Sequence, residues 1–102
     1  MDYIIYENKK YEINDDVLKL RNLGIRKITH IQNLKNQKHL FFLDLCYNKI
    51  TNLECLETLK GLYKLFLSFN QIEKIKGLNN LVNLRILFMM QLLFYHMFHF
   101  II

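Results

Sequence analysis

Apolar residues recur along the chain in an arrangement that is found twice in succession. Residues 62–83 align without a gap beneath residues 40–61, and eight positions then match in type at a spacing of 22 residues. The matching pairs are Leu40 and Leu62, Leu43 and Leu65, Leu45 and Leu67, Asn48 and Asn70, Ile50 and Ile72, Leu53 and Ile75, Leu56 and Leu78, and Leu59 and Leu81. Self-similarity at a fixed period of this length is typical of repeat architectures, in which neighbouring units cover each other.

Each repeat predicts a short strand followed by a tighter return. Leu43 and Leu45 are spaced by two, so their side chains point to one side of a strand. After the strand the apolar spacing becomes three, which suits a 3-10 or short helical return. Asn48 and Asn70 follow the strands, where a side-chain amide can satisfy buried backbone groups of adjacent turns. The pattern predicts an α/β fold, a short repeat solenoid with a parallel strand face and 3-10 or helical outer returns.

Weaker copies of the pattern flank the two clear repeats. A shift back by one period predicts a degenerate repeat over 18–39, and a shift forward predicts a partial repeat that opens at residue 84. In the first copy Leu18, Leu23, Ile28, Ile31 and Leu34 take apolar positions, while Arg21 and Arg26 replace a leucine and the asparagine. In the last copy Leu84, Leu87 and Met89 fit, whereas Leu92 stands where the asparagine is expected.

The segment 1–17 is predicted to form an N-terminal cap, because terminal repeats need an atypical cover. Residues 3–13 read as two short strands around Asn8, Lys9 and Lys10. The polar run 14–16 that follows predicts the cap of a helical turn over 17–22.

The tail from residue 86 to residue 102 contains no charged residue. Three interpretations remain open for it: an apolar C-terminal cap, a membrane-inserted segment, or sequence beyond a misread exon boundary that is not natural repeat. Its length is at the lower limit for a membrane-spanning helix, and Gln91, His96 and His99 weaken that interpretation. A tethered protein is therefore an alternative that the sequence does not favour.

Charge and cysteine content narrow the class of protein. Lys and Arg total 14 and Asp and Glu total 9, but the resulting net charge of +5 is scattered, so no nucleic-acid partner is expected. Two cysteines, Cys46 and Cys55, are too few for a disulfide framework and suit a reducing compartment. The acidic, tyrosine-containing start of the sequence is unlike a signal peptide. These features predict a cytoplasmic protein.

Residues that would support catalysis or cofactor binding are not grouped in the sequence. His96 and His99 are three positions apart but lack a nearby carboxylate or cysteine, which makes a poor zinc site. Neither cysteine has a general base close in sequence. The three glycines form no phosphate-binding loop. The prediction is a protein that is not an enzyme, with no metal and no cofactor.

Residues 40–90 resemble the 22-residue class of leucine-rich repeats, typified by the regulatory subunit of protein phosphatase 1. The class also includes the leucine-rich light chain 1 of axonemal outer-arm dynein and cilium-assembly proteins. The segment LSFNQIEKIKGLNNLVNLRILFM, residues 67–89, carries most of the resemblance. Asn70, Ile72, Ile75, Gly77, Leu78 and Leu81 are the matching positions in that segment.

The resemblance implies a non-catalytic scaffold that binds another protein on its concave strand face. The positions that it assigns to this face are Phe42, Asp44, Tyr47, Lys64, Phe66, Phe69 and Phe88. Exposed aromatic residues of this kind are common anchors of interfaces, although rings that only fill the fold are the alternative. The implied partner is a phosphatase catalytic subunit in the cytoplasm, or alternatively a dynein heavy chain in the cilium or axoneme.

Overall fold

The computed structural model describes residues 2–91 and 96–101, the latter segment as backbone only. Its strands are β1 (Tyr3–Tyr6), β2 (Lys9–Glu12), β3 (Val17–Lys19), β4 (Phe42–Asp44), β5 (Lys64–Phe66), β6 (Ile86–Gln91) and β7 (His96–Ile101). Two short 3-10 turns, Ile28–His30 and Leu34–Asn36, are the helical elements in the described part of the chain. Both lie in the return of the first repeat; the returns of the two clear repeats are irregular and contain single turns in place of the predicted 3-10 or helical segments.

A five-stranded sheet organises the molecule, with the order β3-β4-β5-β6-β7. Strands β3 to β6 are parallel, and β7 turns back antiparallel to β6. Phe42 of β4 pairs with Lys64 of β5, and Lys64 pairs with Ile86 of β6. Each of these steps equals the period of the sequence repeat, so the spacing read from the sequence is also the register of the sheet.

The core lies between the sheet and the returns and is built from the repeated leucines. Leu43, Leu65 and Leu87 lie side by side in the sheet, and each is at most 1% exposed. The alternate strand positions face the opposite side, as the pleat of a strand requires. A parallel sheet with short, turn-containing returns is consistent with the α/β repeat fold that the pattern predicts.

The returns recur with the same period throughout the described chain. Gln37, Leu59 and Leu81 each donate a backbone N–H to the carbonyl three positions before, at 3.0 to 3.1 Å. The residues just before these turns, Asn33, Cys55 and Gly77, all have positive φ, at 73°, 61° and 82°. The left-handed region is tolerated best by glycine and then by asparagine.

The alignment of the first repeat at a constant period is wrong in its strand. Leu18 pairs with Leu43, a step three positions longer than the period, so Leu18 and Leu20 fill the positions that the alignment gave to Arg21 and Leu23. Leu23, not Arg26, therefore stands at the position equivalent to Asn48, just before the return. The cause is one additional 3-10 turn, Ile28–His30, which lengthens the path between strand and return.

The N-terminal segment forms the predicted pair of strands, β1 and β2, but the turn between them is Glu7–Asn8, and Lys9 and Lys10 belong to β2. Both joining residues have positive φ, as in the tight turns that suit hairpins. Ile4 is fully buried against the first repeat, and Ile5 exchanges backbone hydrogen bonds with Gln32 at 3.1 and 2.8 Å. The segment thus packs on the first repeat, and its assignment as an N-terminal cap over 1–17 stays a prediction.

The helical turn predicted over 17–22 is wrong, because Val17–Lys19 is strand β3. Asp15 and Asp16 have φ values of 53° and 60°, and Asn14 and Val17 exchange two backbone hydrogen bonds across them. The polar run therefore makes a tight turn that directs the chain into the sheet, where β4 supplies the hydrogen bonds that a helix would have supplied internally.

Residues 86–91 continue the sheet as β6, the opening strand of the last repeat. Leu92, where an asparagine is expected, lies outside the described residues. Gln91, one position earlier, makes some of the hydrogen bonds that such an asparagine would make. Its Oε1 accepts the N–H of Ile72 at 2.5 Å, and its Nε2 donates to the carbonyl of Ile72 at 3.2 Å. Among the described residues, no helix is long and apolar enough to cross a membrane.

Gly77 offers a direct test of how closely two returns pack. A Cβ at this position would lie 2.7 Å from the carbonyl oxygen of Leu53 in the preceding repeat, whereas a Cβ at Gly24 meets nothing within 4 Å. Both glycines have positive φ, so alanine costs about 1–2 kcal/mol at either position from backbone strain. We expect Gly77→Ala to lower the melting temperature clearly more than Gly24→Ala in thermal unfolding followed by circular dichroism. Equal losses would mean that the returns separate without cost.

Candidate functional site

The side of the sheet opposite the leucines, here called the open face, carries a shallow depression. It is formed by the outward side chains of β3 to β6 and of the residues that follow them, and its volume is about 470 Å³. The residues that line it are Lys19, Arg21, Phe42, Asp44, Cys46, Phe66, Ser68, Phe69, Phe88 and Met90. Most of the lining surface is apolar, and the parallel register brings these residues together from segments far apart in sequence.

Aromatic rings cross the open face from strand to strand. Phe42 and Phe66 meet edge to face with ring centroids 4.7 Å apart, and Phe66 and Phe88 lie 5.6 Å apart. At the rim, Tyr47 and Phe69 stack at 4.6 Å with an interplanar angle of 19°. These pairs fall within the distances at which aromatic contacts are favourable. The rings therefore form two apolar sets, Phe42 with Phe66 and Phe88 across the strands, and Tyr47 with Phe69 at the rim.

Tyr47 and Phe69 hold an unusual backbone conformation at the rim. Their φ values are 59° and 61°, in the left-handed region that bulky side chains rarely adopt. Tyr47 is 47% exposed, so burial of its ring does not explain the cost of this conformation. Asn22, at the equivalent position of the first repeat, has a φ of 58°, so this conformation belongs to the strand exit of each repeat.

The accessible charge on the open face is positive. Asp44 is 4% exposed, and its Oδ1 accepts the backbone N–H of Cys46 at 3.0 Å. Its Oδ2 lies 3.5 Å from Nε of Arg21, whose side chain is half exposed and whose guanidinium also lies over the ring of Tyr47. Lys64 extends its ammonium over the ring of Phe42, 5.6 Å from the centroid. The acid is thus satisfied internally, while the cations remain accessible.

Cys46 lies in the floor of the depression but is not a reactive thiol. Burial, assisted by the neighbouring carboxylate of Asp44, raises the pKa of the Cys46 thiol to about 11. Because the thiolate is the reactive form, we expect iodoacetamide at pH 8 to modify the partly exposed Cys55 first and Cys46 very slowly. Peptide mapping by mass spectrometry measures both rates, and chain unfolded in guanidinium is the control in which they should converge. Fast modification of Cys46 in the folded chain would contradict its burial.

The same thiol gives a pH dependence to folding. The pKa of Cys46 in the folded chain lies above its ordinary value of 9.0. The contribution of the protonated thiol to the free energy of unfolding is therefore complete below about pH 9 and is lost as the pH rises towards 11. Cys46→Ala should therefore lose less stability than the natural chain over this range in urea unfolding. Identical pH profiles for the two chains would contradict the shift.

Asn48 and Asn70 support the open face from beneath. The Oδ1 of Asn48 accepts the N–H groups of Leu23 and Ile25, and its Nδ2 donates to the carbonyls of Leu20, Leu45 and Cys46, all between 2.8 and 3.2 Å. The Oδ1 of Asn70 accepts the N–H of Ile50 at 3.0 Å, and its Nδ2 donates to the carbonyl of Leu45 at 2.9 Å. Each amide joins its own strand exit to the preceding repeat.

The structure brings the residues assigned to the strand face into one neighbourhood. Phe42, Asp44, Phe66, Phe69 and Phe88 line the depression, while Tyr47 and Lys64 contact its rings from the rim. Their role in binding stays a prediction. Sequence reasoning missed Lys19, Arg21, Cys46, Ser68 and Met90. Cys46, Ser68 and Met90 are spaced by the repeat period, so the period could have identified them. Lys19 and Arg21 could not be identified in this way, because the additional 3-10 turn shifts the register of β3.

A second depression, of about 430 Å³, lies on the last return and is lined chiefly by Ile75, Leu78, Leu81, Val82 and Leu87. Ile75 is 40% exposed there, whereas Leu53 at the corresponding position of the preceding repeat is 5% exposed. The difference arises because the later repeat covers Leu53. In the described ranges, no group of three or more histidine, cysteine or acidic residues could hold a metal ion. The histidines His96 and His99 lie in β7, where side chains are outside the described structure.

The geometry agrees with a comparison to known families. A family model described as leucine-rich repeats in two copies matches residues 38–80. These residues are similar to leucine-rich repeats. The match covers nearly all of the two clear repeats, and such repeats are typically non-enzymatic modules that bind other proteins. No curated protein matches the chain.

Proposed function

We propose that the chain is a protein-binding scaffold that engages its partner through the open face. The observation that carries the proposal is the row of contacting rings, Phe42, Phe66 and Phe88, on the side of the sheet away from the core, with the stacked pair Tyr47 and Phe69 at its rim. Aromatic residues in a pocket with a polar rim are the usual anchors of protein interfaces.

The finer proposal is a cytoplasmic adaptor of the phosphatase regulatory type. It is supported by the register of β4, β5 and β6, whose step fits the 22-residue repeat class that the regulatory subunit of protein phosphatase 1 typifies. In this role the leucine-rich repeats would form a short solenoid whose open face receives the catalytic subunit. A dynein heavy chain in the axoneme is the alternative partner, since the register supports both members of the class equally.

The test is capture of purified partners by the immobilised chain. We expect a phosphatase catalytic subunit to be retained, and Phe66→Glu and Phe69→Glu to abolish retention because each places a charge among the rings. Asn52→Glu, at an exposed position outside the depression, is the matched control. Retention of a dynein heavy-chain fragment in place of the phosphatase would favour the axonemal role. Equal capture by the Phe66 variant, the Phe69 variant and the control would show that the open face is not the interface.

A further inference from the structure

The open face is divided into a basic side and an apolar side. Lys19 and Arg21 belong to β3 and the residues just after it, at one side of the depression. Phe66, Phe88 and Met90 come from β5, β6 and the end of β6, at the other side. The cations and the rings are separated by about two strand spacings, roughly 10 Å. A ligand that lies across the strands therefore meets both kinds of surface.

The acidic residue on this face, Asp44, offsets one of the three cations Lys19, Arg21 and Lys64, so the net charge of these four residues stays positive. Asp44 is buried, accepts a backbone hydrogen bond from Cys46 and pairs with Arg21. Lys19 is exposed and Lys64 is half-buried at the edge of the rings, so the charge that a ligand meets is positive. Salt-dependent attraction of an anionic ligand follows from this distribution.

We infer that the open face binds an acidic protein segment that inserts one aromatic or large aliphatic side chain between Phe66, Phe88 and Met90. The inference deepens the proposed function, on which it rests, by giving the chemistry of the partner. The anchor residue occupies the apolar side of the depression. The whole depression has a volume of about 470 Å³, which is enough for a single large side chain. Its acidic neighbours lie towards Lys19 and Arg21, with Lys64 beside the anchor.

A protein segment fits this surface better than a nucleic acid. The rings of Phe42 and Phe66 meet at 71°, so they do not offer the parallel faces on which successive bases stack. Lys19 and Arg21 lie to one side of the depression and Lys64 lies among its rings, whereas a nucleic acid needs a continuous charged path that follows its phosphates. An apolar centre with charge at its border is the arrangement of a protein interface.

The experiment is fluorescence anisotropy with short labelled peptides and the full chain. The probe contains one phenylalanine flanked by glutamates; the comparison peptides carry lysines in place of the glutamates, or alanine in place of the phenylalanine. We expect the glutamate–phenylalanine probe to bind most tightly and to weaken as salt is added. A labelled oligothymidylate tests the nucleic-acid alternative, and its tighter binding would overturn the inference.

Charge reversal on the chain locates the site. We expect the double variant Lys19→Glu with Lys64→Glu to weaken binding of the acidic probe by about fivefold or more, the effect of two exposed charge pairs becoming repulsive. Lys74→Glu with Lys49→Glu, at exposed positions away from the depression, is the matched control and should leave binding unchanged. Equal binding of acidic and basic probes, or equal loss in both double variants, would overturn the inference.

These outcomes are separable from failure of the proposed function. If Phe66→Glu abolishes capture of a protein partner but the probes show no charge preference, the open face is an interface and only the partner chemistry is wrong. If capture is insensitive to Phe66→Glu and Phe69→Glu, the proposed function itself fails. Circular dichroism of each variant verifies that the sheet has formed, so a loss of binding is attributed to the face.

Discussion

Replacing Asn48 by alanine should unfold the chain or remove most of its stability. The substitution leaves the N–H groups of Leu23 and Ile25 without the Oδ1 that they share. Each buried group left unsatisfied costs about 1–3 kcal/mol, and the whole stability of a small domain is about 5–15 kcal/mol. The carbonyls that Nδ2 serves lose a donor as well. The effect should be visible as loss of the cooperative transition in thermal unfolding.

Two further variants, Asn70→Ala and Asn52→Ala, test this prediction with smaller expected losses of stability. Asn70 accepts from one N–H group, that of Ile50, so its replacement should cost less than that of Asn48. Asn52 is exposed, and its replacement should change stability by no more than about 0.5 kcal/mol. A cost for Asn70→Ala that exceeds the cost for Asn48→Ala would mean that the number of backbone groups served does not determine the contribution of the amide.

The second large effect is expected at Leu65, in the centre of the parallel strands. Its side chain is fully buried between Leu43 and Leu87, which pair with it in register on either side. Leu65→Ala should lower the free energy of unfolding by about 2–5 kcal/mol, because it removes apolar contact and leaves a cavity that rigid neighbours cannot fill. Urea unfolding measures the loss as a lower midpoint with an unchanged slope.

Val82→Ala is the matched control for Leu65→Ala. Val82 is 67% exposed, so its truncation should change the midpoint little. A small loss at Leu65 would indicate that adjacent repeats move together to close the cavity. That outcome would argue that the strands are packed less tightly than their register suggests.

The repeat spacing was sufficient to predict the strands and the core, for a physical reason. Leucines spaced by two share one side of a strand, and apolar residues spaced by three share one side of a return that advances about three residues per turn. Leu43, Leu65 and Leu87 accordingly occupy equivalent buried positions. The same period also assigned Phe66 and Phe88 to one column of the sheet, since equivalent positions in successive repeats become neighbours.

The first repeat and the last strand exit could not be read in the same way. An alignment at constant spacing has no place for an additional turn, so it shifted β3 and assigned Arg21 to a buried column. Gln91 was missed because glutamine stands one position before the expected asparagine, and its longer side chain makes up the difference. Both cases depend on three-dimensional reach, which a linear pattern does not contain.

The distribution of charge on the open face also required the structure. Asp44 reads from the sequence as an exposed acid on a strand face, but the guanidinium of Arg21 and the N–H of Cys46 close around it. An acidic residue that looks available to a partner in the sequence is therefore used within the fold. The corrected register places Lys19 in β3 directly beside Asp44 of β4, and therefore on the open face.

The additional turn at Ile28–His30 has a consequence for how such chains can change in length. One turn of 3-10 helix contains three residues, so its insertion returns the backbone to the same orientation and leaves the turns at Gln37, Leu59 and Leu81 in phase. In this chain, three inserted residues therefore lengthen the outer arc of the first repeat while its strand keeps the ladder with β4.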